Sequence, residues 1–184
     1  MIEKKTLWDS AGKAGLVLGM VCVAYLAITS LSSKLVSDST ALAMLISLFN
    51  TCLWIAKFVG CILLLKLFMK KFAASDKQIN NSDTFRFGCA TAFLSSLVYS
   101  ASYLAWILFI QPDIFQESLD ILMQNAALDS NSIAQIEEMM PKMPVLSFFW
   151  NLFYCWLFGT VVSAIFSKNI PSRNPFANNN IDEQ

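Results

Sequence analysis

Polar and apolar residues are segregated into long blocks along this chain. Four apolar stretches, residues 14–35, 41–65, 87–110 and 145–166, are separated by shorter polar segments. Each is about as long as the ~20 helical residues that cross a ~30 Å hydrocarbon layer. They have almost none of the continuous polar face that a helix needs on the surface of a soluble bundle. The pattern therefore predicts four transmembrane helices. The first stretch is too long for the apolar part of a cleavable signal peptide, and no A-x-A site follows it.

Between the third and fourth stretches lie about 34 residues, too many for a structureless loop in a small protein. Here the apolar period changes. Phe115, Leu119, Leu122 and Ala126 share one helix face, and Pro112 suits a first helical turn. After a break at Asp129 to Asn131, Ser132 and Gln135 have the spacing of a capping box, and Ile133, Ile136, Met140 and Met143 line a second face. The expectation is an amphipathic helical hairpin over residues 112–143. Acids flank its apolar stripes, so it is expected to pack over the ends of the spans or against a partner and not on a lipid surface. Residues 1–168 then form a single four-span membrane domain. The Asn- and Pro-rich residues 169–184 read as a flexible tail.

Composition agrees with this pattern: 56% of residues are hydrophobic, 14% are charged, and the mean hydropathy is +0.55. Charge adds orientation. The side holding both termini and the connection between spans two and three has ten basic residues, among them Lys66, Lys70, Lys71, Lys77 and Arg86. The opposite side has only Lys34 and Lys142, together with seven acids. Basic residues stay in the cytoplasm, so both termini are expected there and the hairpin outside. The zero net charge thus conceals two faces of opposite sign. The fold class is an all-α, integral-membrane four-helix bundle.

Candidate chemistry is sparse. The chain has no histidine, which excludes Ser-His-Asp and Cys-His nucleophile systems. Five cysteines lie in or at the edges of spans without metal-ligand spacing and read as small apolar residues. No metal, cofactor or nucleic acid is implied. Asp113, Glu117 and Asp120 on the outer segment read as the wet face of a helix and not as catalytic acids.

Polar residues inside the spans are more informative, because hydrocarbon offers them no hydrogen bonds. Ser47, Asn50, Trp54, Lys57 and Cys61 lie on one face of span two; Ser95, Tyr99, Ser102 and Trp106 form a comparable line on span three. Span four has Asn151, Cys155, Gly159 and Ser163, and span one has Gly12, Gly15 and Gly19. These faces are expected to turn toward one another. No carboxylate lies within a span, so Lys57 has no internal acid to pair with. Either it snorkels from about 12 Å depth toward the end near Leu65, or it faces a polar cavity or bound anion together with Asn50. Lys66, Lys70, Lys71, Lys77 and Arg86 read as orientation residues or as a landing surface for an enzyme or phospholipid.

Several segments, taken in order, resemble the DUF4199 family of small four-span inner-membrane proteins of Bacteroidota. They are EKKTLW before a glycine-bearing first span, LFMKKF ending the second, F-x-F-G at Phe85 to Gly88, QPDIF after the third, and IAQIEEMMPKMP before the fourth. The resemblance spans nearly the whole chain. Where it implies glycines before F-x-F-G, this chain has Asn80, Asn81 and Ser82. It implies no activity, but gene neighbourhoods of family members imply a membrane-associated glycosyltransferase as the first partner to consider.

Two function classes follow. One is a non-enzymatic inner-membrane subunit that recruits or positions a protein partner. The other is a small carrier or lipid-handling protein, as a homodimer, with a polar site around Lys57 and Asn50.

Overall fold

The computed structural model describes residues 4–33, 40–75, 79–125 and 130–170. Among these, the chain is helical throughout, without strands. The helices are α1 (Lys4–Ser33), α2 (Thr40–Ala73), α3 (Asn81–Phe109), α4 (Ile114–Asn125), α5 (Ser130–Met139) and α6 (Met143–Asn169), with a 3-10 turn at Met140–Lys142. Four helices, α1, α2, α3 and α6, are long and apolar enough to cross a membrane. They outrun the apolar stretches at several ends because backbone hydrogen bonding does not stop where hydropathy changes. α2, for example, continues past Leu65 to Ala73, with Lys70 and Lys71 in its last turn, where cations complement the free carbonyls.

α3 is the hub of the bundle. Its interfaces with α1 and α6 are the most extensive, while α2 packs more lightly against α1, α3 and α6. Small residues permit the close approaches. A Cβ on Gly15 or Gly19 would come within 2.8 Å of Leu94 or Val98 of α3. A Cβ on Gly159 of α6 would meet that of Ala92 at 2.5 Å. Gly12 differs from its neighbours, since nothing lies within 4 Å of its would-be Cβ. The expected glycine face of span one therefore makes its contacts through Gly15 and Gly19 alone.

Packing is tightest at the end where α2 passes into α3. Leu65, Met69, Phe72, Ile79 and Phe87 form a buried cluster with Ala11, Ala14 and Val162, and the Phe72 and Phe87 rings stack at 4.2 Å. The F-x-F-G stretch thus supplies Phe87 to the core and Gly88 to the contact with Ser163 and Met69. The bundle exterior is apolar, as contact with lipid would require: Leu48, Leu63 and Leu67 of α2 and Phe149, Trp150, Phe153 and Leu157 of α6 are all exposed.

Three helix ends differ from expectation. Asn80 and Asp83 form a capping box at the start of α3, where the Asn80 side chain accepts from the Asp83 amide at 2.8 Å. Polar residues stand there because four orphan amides need partners. At the other end of α3, Pro112 precedes α4 instead of opening it. It sits in a turn closed by the Ile114 amide donating to the Gln111 carbonyl at 3.3 Å, a position that suits the fixed φ of proline. The residues read as a hairpin are α4 and α5. α5 begins at Ser130, so Ser132 lies within its first turn and is not its cap. Ala126 and Asp129, and the tail from residue 171 onward, fall outside the described residues.

Candidate ligand cavity within the spans

Midway along the bundle, the light packing of α2 leaves a cavity of about 170 Å³ that all four long helices line. α2 contributes Trp54, Lys57, Phe58 and Cys61; the spacing of 3, 1 and 3 residues keeps all four on adjacent helix faces. Cys22 comes from α1, Ser95 and Tyr99 from α3, and Tyr154, Cys155 and Phe158 from α6. The lining residues that are also exposed all belong to two helices: Trp54 (52%) and Phe58 (37%) on α2, Tyr154 (62%) and Phe158 (37%) on α6. The mouth therefore lies between α2 and α6 and faces the apolar exterior. Phe58 and Phe158 meet across it with ring centroids 5.2 Å apart, and Trp54 stacks on Phe58 at 5.7 Å.

Among the described residues, Lys57 is the only charged one lining this cavity. It lies near the middle of the Met44–Ala73 span, on the order of 20 Å from either end. The ammonium points inward, with its nitrogen 4.2 Å from the Tyr25 ring centroid and 5.8 Å from that of Tyr99. Both distances lie within the ~6 Å range of cation–π attraction. Among the described residues the one ion pair is Lys13 with Asp9, on the exposed start of α1. Lys57 therefore has aromatic faces, but no carboxylate, around its charge.

Asn50 does not join Lys57. Its side-chain oxygen accepts from the Ser32 hydroxyl at 2.8 Å, tying α2 to α1, and it lies seven residues from Lys57, about 10 Å along the helix. The polar site expected around both residues is therefore divided into a cavity lysine and a structural interhelix hydrogen bond. Trp106 makes a similar tie, donating from Nε1 to Ser30 of α1 at 3.0 Å. Asn151 bonds its own helix at the Ser147 carbonyl.

The basic residues of the second connection are dispersed. Lys70 and Lys71 are exposed at the end of α2. Arg86, on α3, lines a separate shallow groove with Trp8, Phe93 and Trp156. Lys77 lies outside the described residues.

Sequence reasoning missed two residues of α1 that meet the cavity-lining side chains of α2. Tyr25 lies under the Lys57 ammonium, and the sulfur of Cys22 is 3.6 Å from that of Cys61. The placement of Cys61 four residues after Lys57 was a signal for one of them. Neither residue of α1 could be found from periodicity, because each meets α2 across more than 30 intervening residues.

A family model matches the chain over most of its length, including nearly all of the four long helices. The model of a protein of unknown function, DUF4199, covers residues 13–168. The chain belongs to this family. In DUF4199 terms, the matched region contains every residue of the cavity. No curated protein and no solved structure matches the chain.

Proposed function

We propose that this DUF4199 protein is a lipid-handling protein of the inner membrane. In this reading it admits the polar end of a lipid-soluble molecule, bearing an anionic or electron-rich oxygen, through the gap between α2 and α6 to Lys57. The observation that carries the reading is the Lys57 ammonium on the wall of a cavity whose mouth opens toward lipid. A lysine at the centre of a span costs ~2.5–3.5 kcal/mol. Attraction to aromatic faces returns about 2 kcal/mol when desolvated. An oxygen ligand would supply the rest. The cavity is smaller than the ~300–1,000 Å³ of sites that enclose drug-sized ligands, so only the polar end enters and the chain stays in the bilayer. The distribution of basic residues supports cytoplasmic termini, with α4 and α5 on the outer side.

The test is native mass spectrometry of the full chain extracted in mild detergent. Wild type and Lys57→Arg should carry a co-purified amphiphile that Lys57→Leu lacks. Equal retention by Lys57→Leu would overturn the proposal.

A second reading, a subunit that recruits a partner such as a membrane-associated glycosyltransferase, is favoured by a different observation. Lys70 and Lys71 are exposed at the end of α2 and make no ion pair among the described residues. In that reading, reversing both charges would release a cytoplasmic protein from cross-linked native membranes and leave lipid retention unchanged.

A further inference from the structure

Three of the five cysteines, Cys22, Cys61 and Cys155, line the Lys57 cavity. Two of them are in contact: Cys22 Sγ of α1 and Cys61 Sγ of α2 are 3.6 Å apart as free thiols. A disulfide needs ~2.05 Å between sulfurs. The remaining approach is about 1.5 Å, which side-chain rotation and a small shift of the lightly packed α2 can supply.

We infer that Cys22 and Cys61 are a dithiol that a membrane-dissolved quinone, seated in the cavity, oxidises to a disulfide. The inference rests on the reading of the cavity as a site for lipid-soluble molecules. Three features select the reactant class. The mouth faces the apolar exterior, so the oxidant must travel in lipid and not in water. The walls at the mouth are aromatic, with Trp54, Phe58 and Phe158 packed on one another across it, so that a planar ring entering there would pass between aromatic side chains of its own kind. The Lys57 ammonium stands beside the thiols, one helical turn from Cys61, where it favours negative charge developing on sulfur or on a ring oxygen.

The chemistry balances without any further reactant. One thiol, deprotonated, adds to the quinone. The second thiol then attacks the first sulfur, the S–S bond forms, and the bond to the ring breaks with its electron pair left on the ring. Both thiol protons end on the two quinone oxygens, so two thiols and one quinone become one disulfide and one hydroquinone. The product covalently joins α1 to α2 across 39 residues of sequence. It fixes the helix that forms one side of the mouth.

The experiment uses the reduced, full-length protein in lipid nanodiscs with an alkyl-substituted benzoquinone. Hydroquinone is read by absorbance and the protein by intact mass and maleimide labelling. Wild type should lose two hydrogens, form one hydroquinone per chain and protect both thiols from maleimide. Cys89→Ser should behave identically. Cys22→Ser and Cys61→Ser should each lose the reaction entirely. An unchanged wild-type mass would overturn the proposal, as would equal oxidation of either single variant. Oxidised glutathione in the buffer should not substitute for the quinone; if it forms the disulfide as quickly, the lipid route is wrong. Lys57→Leu separates this inference from the one beneath it. If wild type keeps its amphiphile and Lys57→Leu loses it, but no wild-type disulfide forms, the dithiol proposal fails and the cavity reading stands. If Lys57→Leu still keeps the amphiphile while the wild-type disulfide forms, the lysine reading fails and the dithiol stands.

Discussion

The ammonium of Lys57 on α2 sits 4.2 Å from the centre of the Tyr25 ring on α1. This contact ties the lysine to the bundle interior without neutralising it. A double-mutant cycle with Lys57→Leu and Tyr25→Leu should give a coupling of about 1–2 kcal/mol. Tyr25→Phe, which keeps the ring, should lose only a fraction of it. Unfolding in mixed micelles provides the readout. Lys57→Leu alone is expected to be at least as stable as wild type, because the central lysine costs more than the rings return.

Asn50 and Ser32 give a contrasting case. Asn50→Leu removes the interhelix bond, for which a loss of about 0.6 kcal/mol is expected, near the average for hydrogen bonds between spans. The loss stays low because the Ser32 hydroxyl also lies 2.9 Å from the Thr29 carbonyl and keeps that acceptor. Ligand retention should be unchanged, which would separate Asn50 from the cavity in solution as it is separated in space.

At Gly88 the helices have no room. A Cβ there would lie 2.5 Å from the Ser163 hydroxyl and 3.1 Å from the Met69 sulfur. Gly88→Val should cost about 1–3 kcal/mol through overpacking, or prevent assembly. Gly12→Ala, with open space around it, should be neutral or slightly stabilising. Thermal scanning of the detergent-solubilised variants compares them directly.

The cap of α3 is an independent contribution. Asn80→Ala should cost about 1 kcal/mol, and amide hydrogen exchange should accelerate at Asp83, whose N–H would lose its acceptor. Asn80→Ser should restore most of the protection.

The four spans were legible because an oily solvent imposes a coarse demand that no local detail can mask. The cavity was half legible. The 3-4 spacing on α2 placed Trp54, Lys57 and Cys61 on one face, and all three line the cavity. The same spacing placed Ser47 and Asn50 with them, yet Ser47 is exposed and Asn50 turns to Ser32. A helix face is wide enough to meet lipid, a neighbour and a void at different heights, and periodicity carries no information about height. Tyr25 and Cys22 were missed for a related reason, since α1 was read only through its glycines. The Asn80 cap was hidden because its residues were read as substitutes for absent glycines. Helix ends extended beyond the apolar stretches because Lys4, Lys70 and Lys71 are good helix formers once a helix has begun.

The central position of α3 also bears on biosynthesis. α1 and α2 are made before the helix that supplies most of the packing surface for α1. Until then, the contacts within the pair, among them the Ser32–Asn50 bond, the Lys57–Tyr25 contact and the Cys22–Cys61 contact, hold it together. The first two spans on their own are therefore a loose couple, and the bundle is complete only once α3 has packed on α1 and α6 has packed on α3.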